Sequence, residues 1–426
     1  NAAAQSANDV VLVGSSAFAV TGVDNGVDVN ASAATDTVSV TTDALASGNA
    51  LAVTTGTANT TVATGASNSG ATVTVAGANL DGADTLFLTG GAGFQVNGLT
   101  ASGVTVSSSA TGTVTVNAAD MGPGGGAETL NLAGSASYVL ENVGANVTVD
   151  ATSATGAVDV TTGFNASLTV RAGTGASGNL SVTSNGVGTI TVDATNQVNN
   201  KILLDGSSSY DVSSAAVEVV LNDAYTGTGL VKVTTADVAA ITVDFGASVT
   251  GSREVDASAM TSGDLLTLKG AEDVSLSSTD ADITATSLSG ALTATVTNTD
   301  DLTLTVGSGT TDVIALGNDG TKTLTVNASS AGGLVTLDDA DVAKAGDTSI
   351  TNLGSNGFTL KNGYLGTGDL SVTTSDASMT IALGDTTSLS SVSVNATAAA
   401  ADKTITLTGA EDVSLSSTDA DITATS

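Results

Sequence analysis

VTVDATSATGAVDVTTGFNASLTVRAGTGASGNLSVTSNGVGTITV, residues 147 to 192, states one pattern five times. Val147-Thr-Val149, Val158-Asp-Val160, Leu168-Thr-Val170, Leu180-Ser-Val182 and Ile190-Thr-Val192 each place a polar residue between two apolar ones, and Gly, Asn, Asp and Ser fill the intervals. Side chains on a strand alternate between its two faces, so a period of two with β-branched residues reads as short strands with one face buried. The pattern extends upstream through Val104-Thr-Val106, Val114-Thr-Val116 and Leu130-Asn-Leu132. Strand starts recur every ~10 to 17 residues, and no helical period of any length interrupts them.

Two all-β architectures use such spacing. An array of immunoglobulin-like sandwiches would fill its sheet interface with large aromatic residues. Among 426 residues there are six Phe, four Tyr and no Trp, while hydrophobic residues of all kinds make up 41%. A core of Ala, Val, Leu and Thr is thin. Short strands stacked coil upon coil need only such a core, so the expected fold is an elongated parallel β-solenoid of tandem repeats, with tandem β-sandwich domains as the alternative.

A longer repeat encloses the short one. GAEDVSLSSTDADITATS occurs unchanged at Gly270 to Ser287 and at Gly409 to Ser426, an offset of 139. Tyr225 to Asp237 matches Tyr364 to Asp376 at the same offset, and Val116-Asn117-Ala118, Val255-Asp256-Ala257 and Val394-Asn395-Ala396 form a series of three. Three units are expected: a diverged 1–148, then 149–287 and 288–426. The valines of the series should share one inward-facing position. Because the last residue closes a copy and the first is Asn1, the chain reads as a mature or excised segment that continues in nature.

Composition removes many functions. With no His and no Cys, the Ser-His-Asp and Cys-His systems, N/S-type zinc sites, haem and iron-sulfur ligation and disulfides all lack their residues. Forty-two acidic residues against nine basic ones give a net charge of -33, and the first basic residue is Arg171. A field of that sign repels phosphate, so neither nucleic acid nor anionic membrane is an expected partner. No apolar run is long enough to cross a bilayer, so no membrane insertion is expected. Positive mean hydropathy and regular alternation argue for a folded chain despite the charge.

Gly126-Ala-Glu-Thr-Leu-Asn-Leu132 and Gly270-Ala-Glu-Asp-Val-Ser-Leu276, the latter repeated from Gly409, share a Gly-x-Glu-x-apolar-x-apolar step. With the composition and repeat style, this step resembles the β-helical, crystalline parts of bacterial S-layer proteins and large RTX-type surface proteins exported by type I secretion. The resemblance is at the level of the class. It implies a secreted, self-assembling surface protein that often binds Ca2+. The RTX calcium nonapeptide itself is incomplete: Gly82-Ala-Asp84-Thr-Leu86 holds half, and after Gly90-Gly91-Ala-Gly93 the Asp position is Gln95.

Calcium takes six to eight oxygens, which acidic turns on adjacent coils would supply. The candidate metal residues are Asp280 and Asp282, their copies Asp419 and Asp421, then Asp338, Asp339 and Asp341, and finally Asp84 and Glu128. The other reading of each is a turn residue that caps nearby backbone N–H groups. Paired carboxylates also suit glycoside hydrolysis, making a β-helical polysaccharide-degrading enzyme the remote alternative. Against it stand repetition without a unique site and the presence of only two Arg, Arg171 and Arg253, so no enzyme activity is expected. Tyr225 and Tyr364 read as packing or turn residues. Gly122-Pro-Gly-Gly-Gly126 reads as a bend between coils rather than a phosphate loop, because no Lys follows it.

The expected function is an extracellular structural protein that self-assembles into a bacterial surface layer or matrix filament, its partners other copies of itself and cell-surface polysaccharide. The alternative is the stalk of a giant adhesin.

Overall fold

The structure is a computed structural model that describes residues 9–66, 68–122, 126–164, 166–173, 178–198, 200–247, 251–278, 280–298, 300–318, 322–338, 346–354, 356–361, 367–383, 389–409, 412–417 and 419–425. It is all β. Among the described residues forty strands of three to eight residues follow one another from Val10–Gly14 to Asp421–Thr425. The chain divides into two compact units, Asn1–Ala216 with Ala224–Gly229, and Val217–Asp223 with Leu230–Ser426.

Within each unit successive strands alternate between two parallel ladders, and one strand from each ladder makes a coil. In the first unit Val10–Gly14 pairs with Val29–Ala34, while Phe18–Val23 pairs with Val38–Thr42. In the second, Arg253–Ala257 pairs with Val274–Ser278, and Leu265–Gly270 with Asp282–Leu288. Neighbouring coils are thus separated by the spacing of parallel strands, ~4.8 Å. Each unit is a parallel β-solenoid, as the alternation predicts.

The interior is a stack of identical positions. Leu130 pairs with Val149, and Leu168 pairs with Ile190; Val149, Val170, Val192 and Val212 continue in register one above another. Leu130 and those four valines are 0% exposed. In-register stacking lets a one-strand motif fill the core at every level, so no large aromatic layer is required. The outward residues between them are small and polar. In the second unit one outward column reads Thr303, Thr325, Ser349, Ser371, Ser393 and Ser414, each paired with the next.

A local motif builds the corners. Val-Asx-Ala occurs at Val29, Val116, Val149, Val192, Val255, Val326 and Val394, and in all seven the Asx Oδ1 accepts the backbone N–H two residues on. The following alanine is 0% exposed at each. Gly134 makes another corner at φ 91°, where an added Cβ would collide with the Ser108 carbonyl oxygen.

Val116, Val255 and Val394 are 0%, 2% and 1% exposed, the shared inward position that the repeat predicts. Their strands, however, are the eleventh, twenty-fourth and thirty-seventh along the chain. The repeat therefore advances by thirteen strands, an odd number. In the second unit this puts Val255 on one ladder and Val394 on the other. The two ladders accept the same sequence, so the half-coil is the module of this solenoid.

Candidate functional site

The acidic residues cluster at the turns because of what the next coil needs there. A strand entering its ladder leaves backbone N–H groups at the corner without a strand partner, and a side-chain oxygen from the preceding coil takes them up. Asp28 Oδ1 accepts Ala52 N–H at 2.9 Å, Asn59 accepts Thr85 at 2.7 Å and Asn179 accepts Lys201 at 3.1 Å. The second unit repeats the arrangement: Asp223 accepts Ala247, Asp273 accepts Ala291, Asp301 accepts Thr323, Asp347 accepts Asp369 and Asp376 accepts Ala400, at 2.7 to 3.2 Å. In every one of these pairs the acceptor precedes the donor by 18 to 26 residues. These eight acceptors face the coil that follows, whereas Asn68 Oδ1 accepts the Leu45 N–H of the preceding coil at 3.0 Å.

Asp280 and Asp282 belong to this system. Asp280, 9% exposed, accepts Asp300 N–H at 2.8 Å, and Asp282 accepts Thr303 N–H at 2.8 Å. Their copies Asp419 and Asp421 are exposed. Asp338 lies 3.4 Å from Lys361 Nζ. Asp339 and Asp341 lie outside the described residues, as does Tyr364. Asp84 caps Asp81 N–H at 2.8 Å, and Glu128 caps Gly122 N–H at 2.8 Å, each within its own turn. Gln95, at the interrupted nonapeptide position, is an exposed residue of strand Gly93–Asn97. Among the described residues no three carboxylates come together in a group able to hold a metal ion.

Lys322 engages this acidic surface closely. Its Nζ sits 2.6 Å from Asp300 Oδ1 and, with the Asp301 N–H, holds that carboxyl below the usual Asp range. Asp402 is lowered in the same way by Lys403, 2.8 Å away. Arg171 and Asp150, cross-strand neighbours, are 3.7 Å apart.

Three buried polar groups were not legible as such in the sequence. Arg253 occupies an inward strand position between Val231 and Val274 and is 1% exposed, its Nη1 donating to Ser252 O at 3.1 Å. Alternation of Arg253 with Val255 was the available signal, since it puts both on one face. Tyr138 begins its strand and Tyr210 is the second residue of Ser209–Ser214, and each hydroxyl donates to two carbonyls: Val106 and Ala133 for the first, Val182 and Asp205 for the second. Burial pushes both phenols well above the usual tyrosine range. Tyr225, 2% exposed, packs on Tyr210 with ring centroids 6.1 Å apart and donates to Ser208 O at 2.6 Å.

The chain matches no protein-family model, no curated protein and no solved structure.

Proposed function

We propose that this chain is a structural protein of the bacterial exterior, self-assembling into a surface layer or matrix filament. The observation that carries the proposal is modularity: one 18-residue segment serves unchanged on either ladder, and coils in both units carry side-chain acceptors for the coil that follows. A scaffold of this kind lengthens by repetition without redesign of its core. The class-level resemblance to S-layer and RTX-type proteins, with type I export, supports an extracellular place for it. Other copies of the chain are its main partners, and the outward hydroxyl column offers donors and acceptors to cell-surface polysaccharide.

Calcium enters this reading as a counter-ion. A charge of -33 with nine basic residues opposes the approach of copies, and divalent cations offset that repulsion at the exposed acidic turns. The same modularity suits the stalk of a giant adhesin, which is the second reading. Electron microscopy of the purified chain, with and without calcium, separates the two: a lattice or regular fibre supports assembly, isolated rods support a stalk, and compact particles contradict both.

A further inference from the structure

Five Asn-Gly steps punctuate the chain, at Asn25, Asn97, Asn185, Asn356 and Asn362. The pair carries a chemistry of its own. Glycine has no Cβ to shield its backbone nitrogen, and the Asn side chain holds an amide carbon within five-membered-ring reach of that nitrogen. Whether the ring closes depends on what holds the two partners, and the corners of this solenoid hold them differently. Asn362 lies outside the described residues.

Asn185 closes strand Leu180–Asn185 and is clamped twice to the preceding coil, its backbone N–H donating to Thr162 Oγ1 at 3.0 Å and its Nδ2 to Thr162 O at 2.9 Å. Asn356 is exposed, and its Nδ2 donates to Gly332 O. Asn97 ends strand Gly93–Asn97, pairs with Ala76 and accepts the Gly77 N–H at 2.8 Å, so its backbone is fixed in a ladder.

Asn25 differs from all three. It lies in the turn joining Phe18–Val23 to Val29–Ala34, outside any ladder, and both it and Gly26 are exposed. Val27 N–H reaches Asp24 O at 3.4 Å, and Gly26 stands at φ 76° while Asn25 does not have a positive φ. These are the marks of a type II turn, whose central N–H, here that of Gly26, points away from the turn. Asn25 Oδ1 accepts the Ala46 N–H of the next coil at 2.9 Å. A donor on that oxygen draws charge from Cγ and stabilises the oxyanion that addition at Cγ creates. Asn59 and Asn179 serve as forward acceptors in the same way, but Thr60 and Leu180 follow them instead of Gly.

We propose that Asn25-Gly26 is a site of spontaneous modification, closing to a succinimide and opening to aspartate or isoaspartate. Gly26 N gives its proton to solvent hydroxide and attacks Asn25 Cγ. The new N–C bond forms, the Cγ–Nδ2 bond breaks, and Nδ2 takes a proton from water and leaves as ammonia. Water then adds to either ring carbonyl. Opening at Cγ leaves an aspartate, which keeps an oxygen for the Ala46 N–H; opening at the backbone carbonyl leaves an isoaspartate, whose main chain runs through Cβ. Each product adds a carboxylate to the turn.

Incubation of the 426-residue chain in mildly alkaline buffer, followed by peptide mapping with mass spectrometry and isoaspartyl methyltransferase labelling, tests this. Asn25 should convert first, about tenfold or more faster than Asn185, and its rate should rise with pH. Thr162→Val, which removes one of the two clamps, should speed conversion at Asn185 and leave that at Asn25 unchanged. In denaturant, where neither Thr162 nor Ala46 holds a partner, the two rates should converge. Conversion at Asn25 no faster than at Asn185 in the folded chain overturns the proposal. So does an unchanged ratio of the two rates in denaturant, which assigns the difference to neighbouring sequence rather than to the corners.

Discussion

Leu276 and Leu415 are the same residue of the same 18-residue segment, yet they stand on opposite ladders, and Leu276 is 2% exposed while Leu415 is half-buried. The difference lies in the covering coil, not in the sequence around them. Leu276→Ala removes contacts from a closed interior and should cost about 2–5 kcal/mol, whereas Leu415→Ala should cost less than half as much. Chemical denaturation of the two variants measures this directly. Equal losses would mean that both leucines are covered in solution, as they would be in an associated chain, so the comparison is made at low concentration.

The forward acceptors predict an asymmetry between Asn and Ala. Asp282→Asn and Asp273→Asn keep an oxygen for the N–H groups of Thr303 and Ala291 and should change stability by less than about 0.5 kcal/mol, while the Ala variants lose the hydrogen bond and should cost about 0.5–1.5 kcal/mol each. If Asn proves as damaging as Ala, the charge itself is needed, as at a bound cation.

Arg253 keeps a charged group in an interior of valine and leucine, 1% exposed. Desolvating a guanidinium is expensive, and an apolar side chain of similar volume avoids that expense. Arg253→Met avoids that expense but also removes the donor to Ser252 O, so it should change stability by no more than about 1–3 kcal/mol. Arg253→Ala, which opens a cavity at the same place, should be less stable than Arg253→Met. Thermal melting of the three proteins orders them.

Tyr138 and Tyr210 give the protein an alkaline limit. Their folded pKa values lie above the ordinary 10.0, so the stability they contribute is complete below pH 10 and is lost as pH rises through the unfolded value towards the folded one. Melting temperature should fall above about pH 10, with part of the tyrosinate absorbance appearing only as the chain unfolds. Tyr138→Phe and Tyr210→Phe should each cost about 1–3 kcal/mol at neutral pH, from two carbonyls left without the hydroxyl, and should flatten the alkaline fall.

The solenoid was readable because its rule is local. Val147-Thr-Val149 and its relatives alternate with period two, and each coil repeats the rule in register, so a strand pattern alone specifies the core. Corners were half readable: Val116-Asn117-Ala118 and its two relatives at the 139-residue offset stood out, whereas the equivalent corners at Val29, Val149, Val192 and Val326 fall outside that offset. Which ladder a strand joins was not readable, since an odd count of strands per repeat emerges only when turns are resolved. Nor was the partner of Asp280. An acidic turn looks the same in sequence whether its carboxylate meets solvent, a cation or the N–H of Asp300 on the next coil.

The central claim is the proposal that copies of this chain self-assemble into an ordered surface layer or filament. Fibre diffraction from oriented assemblies of the purified protein tests it most directly. An ordered layer or filament built of this β-solenoid would give sharp reflections, among them the ~4.8 Å spacing of its parallel strands. A preparation that forms no ordered assembly under any condition of salt or calcium would contradict it.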